Sequence, residues 1–155
     1  MSETQQFTLT LTQESDYVFR IAFDDTAIPS LHTDESAPLG GDSGPNPSRM
    51  LVAAVANCLS ASLLFSLRKY KNTPGTIVTR ATARLERNEQ KRLRVAHIDV
   101  AIELPDAAAD YAQIERLLEQ FEDFCVVTES VRQGVEVNVS VRDGAGVLLH
   151  ASGPA

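Results

Sequence analysis

The sequence predicts an α+β fold in a single domain that spans residues 1–155. Three features predict it: two β-hairpins, a long apolar helix between them, and an amphipathic helix after the second hairpin. Strands separated by helices of unequal burial are typical of α+β domains rather than of doubly wound parallel sheets. A compact domain of this length buries roughly 70% of its unfolded surface, so one domain is enough to form a core.

The first predicted element is a β-hairpin. Apolar residues alternate with polar ones on both sides of a polar turn at residues 13–16; they are Phe7, Leu9, Leu11, Tyr17, Phe19, Ile21 and Phe23. This period-two alternation is typical of strands. Residues 24–47 lack periodicity and contain four prolines and three glycines, so we expect a loop without secondary structure. A loop this long in a small domain is usually functional or a wrapping arm.

Residues 47–71 are predicted to form a central helix. Pro47 suits a first-turn position, basic residues near the other end suit the negative end of the helix dipole, and Pro74-Gly75 follows as a terminator. The middle is apolar on every face, and a membrane span is rejected because the other elements belong to a water-soluble domain. A helix of this kind needs two covering layers, and an obligate dimer would supply the second.

A second hairpin is predicted from strands at about 77–87 and 93–104. After it, an amphipathic helix begins near Ile114, with apolar residues at the i, i+3, i+4 and i+7 positions. Asp110 and Gln113 resemble a capping box at its start.

A short helix is expected at Val126–Gln133, and Gly134 should end it. Alternating valines at 135, 137, 139 and 141 then predict a strand. An Asp-Gly turn leads to a weaker final strand at residues 147–149.

The charge balance excludes some classes of function. The chain has 14 Lys and Arg against 21 Asp and Glu, a net charge of −7, which repels phosphate backbones and argues against general nucleic-acid binding. Residues 1–6 lack the basic start and apolar core of a secretion signal, so a cytoplasmic location is expected. Two cysteines 67 positions apart do not form a disulfide scaffold of the secreted type.

Cys58 and Cys125 are the residues that could carry chemistry. The predicted helix N-terminus at Cys125 favours a thiolate, whereas the apolar neighbours of Cys58 oppose one, so Cys58 would need a nearby cation. The alternative is that both are small buried hydrophobes. The three histidines have no metal-binding spacing, and no metal or cofactor is expected. Three serines of the central helix, at 60, 62 and 66, are expected to ease close helix packing.

Two segments resemble a known family. Residues 44–59, GPNPSRMLVAAVANCL, are similar to the OsmC/Ohr signature, in which a Gly-x-x-Pro turn opens the central helix that carries a reactive cysteine. Residues 124–131, FCVVTESV, resemble the second cysteine motif of that family. The order of elements matches over nearly the whole chain.

The resemblance implies an OsmC-like fold, with a long buried central helix packed against antiparallel sheet, in an intertwined homodimer. It also implies a thiol peroxidase. Cys58 as thiolate would attack an organic hydroperoxide, and Cys125 would condense with the resulting sulfenic acid to a disulfide. A dithiol such as a dihydrolipoyl group would then reduce the pair.

The sequence departs from the family pattern beside the Gly-x-x-Pro turn. Catalytic members carry a glutamate there, and this chain has Ser48 and Arg49. The family's N-terminal arginine has no counterpart except Arg20, which lies in a predicted strand. Arg49 could supply the cation for Cys58, with an orienting carboxylate from the preceding loop: Asp34, Glu35 or Asp42.

Nine residues of helix between Arg49 and Cys58 span about 14 Å, so Arg49 would act across the dimer or at the rim of the site. The alternative is a solvated residue at the helix start.

Two hypotheses therefore stand: a cysteine-dependent organic hydroperoxide reductase, and a noncatalytic OsmC-like protein that binds an apolar small molecule at the dimer interface. The missing glutamate favours the second.

Overall fold

The computed structural model describes residues 4–134, 139–142 and 148–152. Its strands and longer helices are, in chain order, β1 (Leu9–Ser15), β2 (Val18–Phe23), β3 (Leu31–Thr33), α1 (Pro47–Lys69), β4 (Val78–Arg87), β5 (Leu93–Glu103), α2 (Ile114–Gln120), α3 (Val126–Gln133), β6 (Val139–Arg142) and β7 (Leu148–Ser152). This mixture of antiparallel strands and a long helix confirms the predicted α+β class.

β1 and β2 form the predicted N-terminal hairpin. They pair in antiparallel register, with Leu9 opposite Phe23 and Leu11 opposite Ile21. The turn is tighter than the polar segment suggested, because β1 continues to Ser15 and Asp16 takes a positive φ of 41°. Aspartate tolerates this left-handed conformation better than most residues.

The segment between β2 and α1 is not entirely without secondary structure, so that prediction is wrong for three residues. β3 pairs antiparallel with β2, with Phe19 opposite Thr33 and Ile21 opposite Leu31. A strand of three residues is too short to show alternation in sequence. It nevertheless adds a third strand to the first sheet, whose order is β1-β2-β3.

Asp34 organises the loop that follows β3. Its buried carboxylate accepts hydrogen bonds from the amides of Glu35, Gly41 and Ser43 and from the Ser43 hydroxyl, at 2.8 to 3.1 Å. These donors, those of Ser43 first, hold the pKa of the Asp34 carboxyl below its usual range. Gly40 is required here, because a Cβ atom would lie 2.2 Å from the carbonyl oxygen of Glu35.

Local hydrogen bonds set both ends of α1. Asn46 caps the start, since its side-chain oxygen accepts the Arg49 amide at 2.9 Å. At the other end, Lys71 has a positive φ of 63°, and the Asn72 amide donates to the Leu67 carbonyl at 3.0 Å. This Schellman closure ends the helix at Lys69. The predicted end at residue 71 is therefore two residues too late.

Within the described residues of a single chain, one face of α1 is covered. Val55, Leu59, Leu63 and Leu67 follow each other at four-residue intervals and are buried, whereas Phe65 is 60% exposed. The expectation of a helix covered on every side is not met by this chain alone. By length and composition α1 could cross a membrane, but core helices of soluble proteins meet the same criterion.

β4 and β5 form the second hairpin, with bounds one residue inside those predicted at the outer ends. The turn between them is closed by the Lys91 amide, which donates to the Asn88 carbonyl at 2.8 Å. Lys91 takes a φ of 60°. The hairpin predicted here is confirmed.

Of the two helices after the second hairpin, α3 matches its prediction, whereas the predicted N-terminal cap of α2 is wrong. The predicted capping box at α2 is wrong, because its cap residue Gln113 is left-handed, with φ 57°, and makes no side-chain cap bond. Asp110 lies instead in a short 3₁₀ turn at Ala108–Asp110. α3 has the predicted bounds, and Gly134 follows it with φ 78°.

The last two strands pair antiparallel, with Val139 opposite Ser152 and Val141 opposite His150. The predicted strand positions Val135 and Val137 lie outside the described residues, as does the predicted turn at 143–144.

The chain divides into two compact units, Met1–Ala56 with Arg80–Ala101, and Asn57–Thr79 with Ile102–Ala155. In the second unit, Leu63, Leu67, Tyr111 and Leu117 form a buried apolar cluster. This unit contains both cysteines.

Candidate active site

Cys58 and Cys125 lie together in the fold. Cys58 is in the middle of α1 and partly buried, and Cys125 is the fully buried residue that precedes α3. The two thiols are in hydrogen-bond contact. Both cysteines are free thiols.

The two thiols differ in acidity. Burial raises the pKa of Cys58, and the hydrogen bond and negative charge of Cys125 raise it further, against opposing backbone donors at Val127 and Thr128. Burial also disfavours the Cys125 thiolate, but the Cys58 thiol, the Thr128 hydroxyl and amide, and the Ser62 hydroxyl together hold the pKa of Cys125 below its usual value. When one of the two thiols ionises, the negative charge is therefore favoured on Cys125 and the remaining proton on Cys58.

Local backbone geometry explains the donors at Cys125. The residue is extended, with φ −86° and ψ 93°, and its carbonyl accepts the first helical hydrogen bond of α3 from Glu129. Its side chain turns onto the first turn of the helix, where Cys125 Sγ lies 2.9 Å from Thr128 Oγ1. The sequence predicted the helix N-terminus correctly and with it the direction of the Cys125 pKa.

Ser62 and Thr128 are the site residues that the sequence analysis missed. Ser62 was expected only to ease helix packing, but its hydroxyl contributes to the lowered pKa of Cys125. It lies four residues after Cys58, on the same face of α1, and both Ser62 and Thr128 are buried. A signal existed in the i, i+4 spacing of Cys58 and Ser62 and the i, i+3 spacing of Cys125 and Thr128.

Ser60 and Ser66 do not take part in the thiol hydrogen bonds described above. The Ser60 hydroxyl lies 2.6 Å from that of Thr79, at the start of β4. Ser66 is buried on the core side of α1.

Arg49 lies at the start of α1 and contacts the preceding loop. Its guanidinium donates to the Ser36 hydroxyl at 3.0 Å and lies 3.9 Å from Asp42 Oδ1. Of the three acids considered as its partner, Asp42 is thus the one in contact, while Asp34 is engaged by loop amides. Arg20 pairs with Glu14 at 3.4 Å on the first sheet.

A cleft of about 500 Å³ lies beside the start of α1. Arg49 and Asn46 are polar members of its lining, and Val52, Ala81 and Leu85 are among the apolar ones. It could hold an apolar molecule with one polar end.

Two of the three histidines make separate surface pairs. His32 contacts Glu14 at 2.9 Å, and His97 contacts Asp99 at 3.0 Å. Within the described part of the chain, no group of three His, Cys, Asp or Glu residues is arranged to hold a metal ion.

Comparison with known proteins identifies the family. The model of the OsmC-like protein family matches residues 40–140, which include both cysteines. The chain belongs to the OsmC-like family. No curated protein matches this OsmC-like chain.

Solved structures show the same fold. An OsmC-like protein of unknown function from Vibrio cholerae is 14% identical, with a TM-score of 0.67 over 82% of this chain and 94% of that one. An OsmC-like protein from Mycoplasma pneumoniae is 15% identical, with a TM-score of 0.67 over 86% and 91%. An organic hydroperoxide resistance protein from Bacillus subtilis is 19% identical, with a TM-score of 0.60 over 83% and 93%. This is therefore a divergent OsmC-like protein.

Proposed function

We propose that this OsmC-like protein is a cysteine-dependent peroxidase that reduces organic hydroperoxides. The observation that carries the proposal is the hydrogen bond between the Cys58 and Cys125 thiols, which come from distant parts of the sequence. A disulfide forms only where the two cysteines lie close enough for their sulfurs to bond. The similarity to an organic hydroperoxide resistance protein supports the substrate class.

In the proposed cycle, Cys58 attacks the hydroperoxide because it is the less buried of the two cysteines. Its proton passes to Cys125, the O–O bond of the hydroperoxide breaks, and the leaving alkoxide takes that proton from Cys125 and departs as the alcohol. The Cys58 sulfenic acid is then attacked by the Cys125 thiolate, which forms the disulfide and releases hydroxide. A dithiol of the dihydrolipoyl type, in the cytoplasm, returns both cysteines to thiols.

Arg49 is proposed as the cation that Cys58 requires. The helix rise of about 14 Å separates it from Cys58 in its own chain, so the proposed route is across a homodimer. Its contact with Asp42 leaves it partly exposed at the cleft. The Arg49→Ala variant tests this role: the measured pKa of Cys58 should rise, and an unchanged value would leave Arg49 as a solvated residue at the helix start.

A homodimer is also supported by an exposed apolar patch. Phe65 of α1 and Phe124 have ring centroids 6.5 Å apart, and Val126 follows Cys125. All three side chains are more than half exposed. Since Phe124 and Val126 flank Cys125, a partner on this patch would also shield the thiol pair from water.

The test is consumption of cumene hydroperoxide in the presence of dihydrolipoamide or dithiothreitol. Wild type should turn over, and Cys58→Ser should fall to the uncatalysed rate. Ser60→Ala serves as the control, since it alters a side chain of the same helix that bonds Thr79. Equal and negligible rates for wild type and Cys58→Ser would exclude the peroxidase.

The second candidate is a noncatalytic OsmC-like protein that binds an apolar small molecule at the dimer interface. Ser48 and Arg49 in place of the family glutamate favour it, as does the raised pKa of Cys58. The apolar lining of the cleft offers a binding surface. This candidate predicts that an environment-sensitive apolar dye binds wild type and Cys58→Ser equally, with no peroxide turnover by either.

A further inference from the structure

The two sulfurs of the thiol pair have unlike surroundings. Cys125 is fully buried, whereas Cys58 retains some exposure. Beside Cys125 lie two hydroxyls, one from Thr128 at 2.9 Å and one from Ser62, and both residues are at least nine-tenths buried. Solvent access therefore favours attack on the Cys58 sulfur, whereas the hydroxyl donors favour a negative charge on the Cys125 sulfur.

The hydrogen bonds of the Thr128 and Ser62 hydroxyls depend on the charge of Cys125. When Cys125 is a thiol, its S–H donates to Thr128 Oγ1. When it is a thiolate, the O–H groups of Thr128 and Ser62 donate to the sulfur instead, together with the Thr128 amide. Hydrogen bonds to a charged group are stronger than those between neutral groups, and burial strengthens them further. A lowered Cys125 pKa agrees with this arrangement.

Building on the two-cysteine cycle above, we propose that the reductant attacks the Cys58 sulfur of the disulfide and that Thr128 and Ser62 stabilise Cys125 as the leaving thiolate. Thr128 and Ser62 are thus positioning residues for the reductive half of the cycle.

The exchange balances in two steps. The first reductant thiolate forms a bond to Cys58 Sγ, the Cys58–Cys125 bond breaks, and Cys125 takes the electron pair. The second thiol of the reductant, once deprotonated, then attacks its own sulfur in the mixed disulfide, and Cys58 leaves and takes up a proton. The dithiol is oxidised by two electrons and the protein disulfide is reduced by two.

The direction follows from leaving-group acidity and access. In thiol-disulfide exchange, the thiol of lower pKa leaves faster, and the more accessible sulfur is attacked more often. Both criteria predict attack on Cys58 with Cys125 as the leaving group, because Cys125 lies beside the hydroxyl donors and Cys58 is the more exposed residue.

Peptide mapping can identify directly which sulfur of the disulfide the reductant attacks. Wild type is oxidised with diamide, which makes the disulfide without peroxide, and then exposed briefly to 2-mercaptoethanol. Acid quench, alkylation of the released thiol and peptide mapping locate the adduct. We expect the mercaptoethanol adduct on Cys58 and the alkyl group on Cys125, and the reverse distribution would overturn the proposal.

Two substitutions of Thr128 test the role of its hydroxyl. Thr128→Val keeps the side-chain volume and removes the donor, whereas Thr128→Ser keeps the donor. The rate constant for reduction of the diamide-made disulfide by dihydrolipoamide should fall by about tenfold in Thr128→Val and stay within about twofold of wild type in Thr128→Ser. Ser130→Ala is the control on the same helix and should match wild type.

An unchanged rate in Thr128→Val, or an equal loss in Thr128→Ser, would overturn the role of the hydroxyl. Failure of diamide to link the two cysteines would overturn the whole proposal. These readouts do not depend on peroxide. A protein that exchanges as proposed but does not consume cumene hydroperoxide would therefore refute the peroxidase function and leave this inference standing.

Discussion

Cys58, in the middle of α1, is hydrogen bonded to Cys125, the residue that precedes α3. The pKa of Cys58 is raised and that of Cys125 is lowered, because the hydroxyls of Thr128 and Ser62 donate to Cys125, so ionisation favours a negative charge on Cys125. The pair is thus asymmetric before any oxidant arrives. This asymmetry leads to the first prediction.

Two separate thiol ionisations are expected. Thiolate absorbance near 240 nm should rise in two steps, one below the ordinary thiol range of about 8.5 and one above it. Cys125→Ser should remove the lower step, since burial raises the pKa of Cys58 and the Cys125 donors act on the other sulfur. If Cys58→Ser removes the lower step instead, the assignment of the charge to Cys125 is wrong.

The neighbouring residues Leu117 and Leu118 should differ sharply in their contribution to stability. Leu117 is fully buried in the apolar cluster, whereas Leu118 is 46% exposed on the same helix. Leu117→Ala should lower the free energy of unfolding by about 2–5 kcal/mol, because it leaves a cavity. Leu118→Ala should cost less than about 1 kcal/mol. Urea denaturation followed by circular dichroism measures both, and similar losses would contradict the described core.

Period-two and helical patterns predicted most elements of the fold. The hairpins and α2 carry periodic patterns, α1 was marked by its apolar middle and by Pro47 at its start, and α3 was marked by Gly134 at its end. The predictions failed where local backbone geometry, rather than a periodic pattern, determines where an element lies or ends. β3 has three residues and no visible period, and α1 ends on the left-handed Lys71 rather than on a glycine. Lysine carries no terminator signal, so the sequence placed the end too late.

The candidate site was predictable only in part. Each cysteine could be found from its motif, and the helix N-terminus at Cys125 indicated its acidity. The donors at Thr128 and Ser62 could not be assigned, because a hydroxyl on an apolar helix has many uses until the fold brings it against a sulfur. Thr128 contacts Cys125 locally, three residues along the chain, whereas Ser62 acts on Cys125 only through tertiary contact.

Asp34 should make the protein less stable in acid. Its carboxyl pKa is lowered in the folded state, so the ionised group favours folding above the unfolded value of about 3.9 and loses that contribution as the pH falls through the folded pKa. Asp34→Asn should lower the melting temperature by about 2–4 °C at pH 7, and the difference from wild type should vanish in strong acid.

Asp123→Asn is the matched control, because Asp123 is an exposed residue. Scanning calorimetry from pH 7 down to pH 2 makes the comparison. A difference between wild type and Asp34→Asn that persists at the lowest pH would show that the effect does not come from ionisation of Asp34.

The patch of Phe65, Phe124 and Val126 should hold two chains together. Phe65→Asp puts a charge on an exposed side chain, so it should dissociate a dimer without unfolding the chain. Sedimentation equilibrium should give twice the chain mass for wild type and the single mass for Phe65→Asp. Leu93→Asp, at an exposed position beside the β4–β5 turn, should remain dimeric. Monomeric wild type would exclude the proposed homodimer.

The most direct measurement of the central claim is the fate of the two thiols after one equivalent of cumene hydroperoxide. The reduced protein should titrate two thiols, and the treated protein none. Its mass should fall by that of two hydrogens, with a Cys58–Cys125 peptide pair in the digest. Cys125→Ser should instead stop at a sulfenic acid on Cys58. Two thiols that survive in the treated wild type would contradict the two-cysteine peroxidase.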